Sequence, residues 1–63
     1  MRMIIVSRKI DGAKVHVNPE NICAVYQRYD NKEITIIQFS GSDENYLEVI
    51  ESADSVAGMM EEE

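Results

Sequence analysis

The side chains able to do chemistry are few and scattered. His16 is the lone histidine and the one group that ordinarily titrates near neutral pH, so it is the first candidate general base or metal ligand. It sits in Lys14-Val15-His16-Val17, where alternation places it on the outward face of a strand with no partner beside it, and a solvated histidine is the expected reading. Cys23 is the lone thiol. It needs a neighbouring base or cation to become a nucleophile, and Ile22 and Ala24 flank it instead, so inert packing is expected. One cysteine and one histidine fall short of the four ligands of a structural zinc site. Asp43, Glu44 and Glu48 gather around a loop, but their spacing does not match a calcium loop. Ser40-Gly41-Ser42 lacks the lysine and following helix of a phosphate-binding loop. No nucleophile, base and orienting group assemble from these residues, so no enzyme and no cofactor are expected.

What remains is chemistry of recognition. Tyr26, Arg28 and Tyr29 lie close together, a composition typical of binding hot spots, with a cross-strand surface pair as the plainer reading. All six basic residues, Arg2, Arg8, Lys9, Lys14, Arg28 and Lys32, fall in residues 1–32 beside three acids, leaving that half at +3. Residues 33–63 hold nine acids and no base, −9, and the two halves give the net charge of −6. An acidic surface repels phosphate backbones and favours a basic partner, so direct nucleic-acid binding is not expected. The candidate partner-binding residues are therefore Asp43, Glu44, Glu48 and Glu51 of the acidic half, with Tyr26, Arg28 and Tyr29.

These groups need elements to position them, and 63 residues permit one domain. A chain of this size buries only about 60% of the surface its unfolded form exposes. One such core supplies roughly 3 to 5 kcal/mol, which makes self-association a further way to gain stability. No stretch reaches the ~18 apolar residues of a membrane span, and the apolar run at residues 1–6 is too short for a signal peptide. Together with the unpaired thiol this leads to an expected cytoplasmic location.

Met3-Ile4-Ile5-Val6 alternates as a strand with Ile4 and Val6 inward, Asp11-Gly12 supplies hairpin-turn chemistry, and Val15 and Val17 point inward from the next strand. Asn18-Pro19 breaks that strand, since proline lacks the ladder N–H. Residues 22–29 alternate as a third strand whose buried face the pattern leaves open. Residues 29–32 form a turn into residues 33–40, whose Ile34, Ile36, Ile37 and Phe39 mark the central strand. A turn at residues 40–43 precedes the last strand, Tyr46-Leu47-Glu48-Val49-Ile50. Ser52 is a good N-cap, and Ala53, Val56, Ala57 and Met60 make an apolar stripe on the helix that follows. The expected fold is α+β: an antiparallel five-stranded meander with one short C-terminal helix packed on the sheet.

The order of an Ile-x-Val strand, the Asp11-Gly12 hairpin, Val15-His16-Val17-Asn18-Pro19, a strand from Ile22, the Gly41 turn, Tyr46 to Ile50, and Glu51-Ser52 opening a helix resembles the small flagellar FlbD/SwrD-like proteins. The resemblance spans nearly the whole chain and lies in turn residues and apolar spacing. This sequence departs from the pattern in an extra residue before Asp11-Gly12, a longer acidic turn at residues 42–45 and the Glu61-Glu62-Glu63 end. The resemblance implies a non-enzymatic cytoplasmic accessory of the bacterial motor, with no catalytic residues to carry over.

Three functions stay open at this point. The first is a protein-protein interaction module that binds a basic surface through the acidic half. The second is a phage-type acidic inhibitor that presents carboxylates in place of phosphates to a nucleic-acid-binding defence protein. The third is an oligomer that holds a small ligand at subunit interfaces near Tyr26, Arg28 and Tyr29.

Overall fold

The computed structural model describes residues 3–41 and 44–61. Five strands and one helix follow in the order β1 (Ile4–Ser7), β2 (Lys14–Val17), β3 (Ile22–Gln27), β4 (Thr35–Phe39), β5 (Tyr46–Val49) and α1 (Ala53–Glu61). They form two antiparallel sheets, β1-β2 and β3-β4-β5, instead of the single five-stranded meander expected from the sequence. The expectation fails between β2 and β3. There Asn18 caps a 3-10 turn, Pro19–Asn21, by accepting the Glu20 backbone N–H on its Oδ1 at 3.0 Å, and the chain leaves β2 without pairing to it. A proline supplies no N–H for a ladder and fixes its own φ, so this turn redirects the chain.

The end of β1 instead reaches the last strand. The Lys9 N–H donates to the Glu48 carbonyl and the Ile50 N–H to the Ser7 carbonyl, both at 2.9 Å, around an antiparallel bridge between Arg8 and Val49. The two sheets thus join at one corner and share one core. Ile4, Val6, Val17, Ile37, Val49 and Val56 form it, with Val25, Phe39, Leu47, Met59 and Met60 packed around them.

The β1-β2 hairpin is as the alternation suggests, with Ile4 opposite Val17 and Val6 opposite Val15. Its turn uses Gly12 at φ 74°, a left-handed conformation that costs glycine little. In β3 the alternation breaks: the register slips between Ile22 and Ala24, Cys23 is exposed at the irregularity, and Ile22 and Val25 both pack on the core. The expected inert packing of Cys23 is therefore corrected, because the bulge turns it out to solvent. β3 also ends at Gln27, two residues short of the expected Tyr29, because Asn31 organises the connection by accepting the Glu33 N–H on its side chain and the Ile34 N–H on its carbonyl. Helix α1 starts as expected: the Ser52 hydroxyl accepts the Ser55 N–H at 3.1 Å and its carbonyl accepts the Val56 N–H. Val56 is fully buried, Ala53 is half-buried and Met60 packs on the core as expected, whereas Ala57 is exposed and Met59 joins the packed face.

Candidate functional site

Register decides which residues share a face. Val25, Ile37 and Leu47 lie side by side across β3, β4 and β5, with Ile37 fully buried, so this set faces the core. Their neighbours, Tyr26-Ile36-Glu48 and Ala24-Gln38-Tyr46, form two adjacent rows on the opposite, outer face. Tyr26 is 44% and Tyr46 52% exposed, and the Tyr26 hydroxyl lies 3.4 Å from the Gln38 side-chain carbonyl.

Arg28 ties this face together. It makes a two-pronged contact with Asp30, Nε to Oδ1 at 2.8 Å and Nη2 to Oδ2 at 2.6 Å, and its Nη1 donates to Glu48 at 2.8 Å. The hydrogen bond to Asp30 is the main reason the Arg28 guanidinium is held above its usual pKa, and the same bond holds the Asp30 carboxyl below the usual carboxylate range. A planar guanidinium suits this double role because its donors are fixed in a fork. The result is a surface with two tyrosines, an isoleucine and one guanidinium shared by two carboxylates, which leaves a net charge of about −1 on that cluster.

The sequence-predicted residues divide into three groups. Tyr26, Arg28 and Glu48 come together on the outer face, and Tyr29 stands in the adjoining connection, 95% exposed. Glu44 is exposed two residues before Tyr46 at the other end of that face, while Asp43 lies outside the described residues. Glu51 is elsewhere: both of its carboxylate oxygens accept the Ser7 backbone N–H, at 2.8 and 3.0 Å, and Lys14 Nζ donates to the Ser7 hydroxyl beside it. Partial burial pushes the Glu51 pKa up, but the hydrogen bonds from Ser7 and the nearby Lys14 charge outweigh this, and the net direction is down. Glu51 thus clamps the start of the helix segment onto β1, an internal task.

Tyr46 is the residue that the site prediction missed. Its signal was present, because a strand residue two places from Glu48 shares its face.

Among the described residues, Asp11, Asp30 and Glu48 are held in ion pairs and Glu51 by backbone, whereas Glu20, Glu33, Glu44, Asp54 and Glu61 are exposed without an ion pair. Lys9, Lys14 and Lys32 are the exposed lysines in the same condition, Lys14 donating to the Ser7 hydroxyl. The acidic excess therefore persists at the surface once internal pairing is satisfied. Among the described residues no group of three or more His, Cys, Asp or Glu could hold a metal ion, and no helix is long and apolar enough to cross a membrane. Comparison with protein-family models, curated proteins and solved structures finds no match.

Proposed function

We propose that the protein is a non-enzymatic protein-interaction module that holds a basic partner on the outer face of the β3-β4-β5 sheet. The observation that carries this reading is the pair of exposed tyrosines, Tyr26 and Tyr46, in adjacent rows beside the Arg28–Glu48 pair. Tyrosine supplies large contact area with few rotatable bonds, and its ring face attracts lysine and arginine side chains. The unpaired acids supply the longer-range part of the attraction, chiefly speeding encounter and selecting for a positive partner. The resemblance to the FlbD/SwrD-like proteins agrees with such an accessory role.

Glu48 contributes by fixing Arg28, so the free charge at this face is assigned to Glu44. The test is capture of protein from lysate of the expressing cell at low and high salt, using the wild type and a variant carrying Asp43→Lys and Glu44→Lys. The reading expects a basic protein retained at low salt and lost both at high salt and with the variant. Capture that ignores salt and the two reversals would sink it.

A further inference from the structure

Two strand edges stay open among the described residues, those of β2 and β3, since the far edge of β5 meets β1 at the Arg8–Val49 bridge. The β2 edge carries Lys14 and runs into Pro19, and a charge and a proline both discourage a further strand. β3 has neither: Ile22-Cys23-Ala24-Val25-Tyr26-Gln27 holds no charged residue and no proline. Its one irregularity, the register slip between Ile22 and Ala24, confines any further pairing to residues 23–27.

The ladder fixes which way the β3 amides point. The Arg28 N–H donates to the Ile34 carbonyl, and with a period of two the amides of Tyr26 and Ala24 also turn towards β4. Cys23, Val25 and Gln27 therefore direct their backbone N–H and C=O groups to the open edge, where Cys23 is exposed. Beside that edge runs a groove of about 280 Å³, lined by residues 22–25 of β3 and by Ala57, Met60 and Glu61 of α1.

We propose that β3 pairs antiparallel with β3 of a second copy, about a two-fold axis at Val25. In this register each Val25 faces the other, and Cys23 of each copy faces Gln27 of the other. The open donors of one chain then meet the open acceptors of its mate in about six main-chain hydrogen bonds. On the outer face Tyr26 lies against Ala24 of the other copy, a large side chain over a small one. On the core side, the side chains of the added strand enter the groove beside α1. Charge points to a second copy at this edge, because no carboxylate lies within the paired segments of two chains that each carry −6. A core this small also gains stability by self-association. Two chains of −6 repel at a distance, so added salt strengthens this contact, the opposite of its effect on a basic partner.

Reduced, isotope-labelled protein is followed by sedimentation and by amide hydrogen exchange across a wide range of concentration, at low and high salt. The expected result is a monomer–dimer equilibrium that salt shifts towards the dimer. The Cys23, Val25 and Gln27 amides should gain protection as concentration rises, while those of Ala24, Tyr26 and Arg28 are protected throughout. Cys23→Lys, at an exposed position, sets two uncompensated charges in the paired edges and should weaken the dimer by about tenfold or more. Cys23→Ser should leave it unchanged. A strict monomer at every concentration, a dimer whose Cys23, Val25 and Gln27 amides stay unprotected, or a dimer weakened by salt overturns the proposal. So does a dimer that survives Cys23→Lys, or one lost with Cys23→Ser, because the thiol and not the strand edge would then join the copies. If the lysine variant does not fold, the wild-type exchange pattern decides by itself.

Discussion

Two hairpin connections in this molecule carry the same chemistry to different ends. In the β1-β2 turn, Arg8 grips Asp11 through Nε at 3.0 Å and Nη2 at 2.7 Å, three residues away and in solvent. In the β3-β4 connection, Arg28 grips Asp30 in the same two-pronged way, but its remaining Nη1 crosses to Glu48 on β5. The first arginine closes a turn; the second links two edges of a sheet beside the row that carries Tyr26. An Arg–Asp motif two or three residues apart thus says little about function by itself. Its third bond, made across the sheet, separates a local staple from part of a contact surface.

That contrast can be broken most forcefully from beneath, by removing the core both turns rest on. Ile37→Ala deletes a fully buried side chain from the central strand and should cost about 2–5 kcal/mol, comparable to the whole stability of a domain this small. Loss of the cooperative urea transition at 25 °C is the expected outcome, and a full native transition would show that the core is not where the stability lies.

Next in size is the clamp at the sheet junction. Glu51→Ala leaves the part-buried Ser7 N–H without its acceptor and should destabilise by about 1–3 kcal/mol, readable as a lower urea midpoint. The same clamp predicts pH dependence. Because the folded pKa of Glu51 is lowered, its contribution is fully present above the unfolded value near 4.5 and is lost as pH falls through the folded one. Asp11 has its pKa lowered to about 2, mainly by the hydrogen bond from Arg8, so its pair persists further into acid and weakens only as pH falls from 3.8 towards 2. A midpoint followed from pH 7 to pH 3 should fall in the wild type below about pH 4.5, and less steeply in Glu51→Gln.

The smallest effects sharpen the comparison itself. A double-mutant cycle between Arg28 and Glu48 should give a larger coupling than the cycle between Arg8 and Asp11, since the latter pair is local and more exposed. Equal couplings would erase the distinction between staple and cross-strand tie.

Much of the local structure was legible in the sequence. Alternation about Ile4 and Val6 and about Val15 and Val17, with Asp11-Gly12 between them, specifies the first hairpin, and Ser52 marks the helix start. The division into two sheets was not legible. Asn18-Pro19 announces a break but not what the strands on either side will pair with, and the β1–β5 bridge joins Arg8 to Val49, far beyond any local signal. Cys23 was misread because a bulge shifts the phase of alternation without changing composition. The site followed the same pattern. Tyr26 and Arg28 are close in sequence and were found, but their meeting with Glu48 and Tyr46 depends on register across three strands. Glu51 was grouped with the surface acids because nothing near it in the chain reveals that the Ser7 backbone takes both its oxygens.

The most direct test of the central claim compares capture from lysate by the wild type, by a Tyr26→Ala/Tyr46→Ala double variant and by Arg8→Ala, each first shown to be folded. The outer-face account predicts that one salt-sensitive basic protein is retained by the wild type and by Arg8→Ala and is lost with the double tyrosine variant. Retention of that protein by the tyrosine variant, or its loss with Arg8→Ala alone, would contradict the account and move the contact to the β1-β2 side of the molecule.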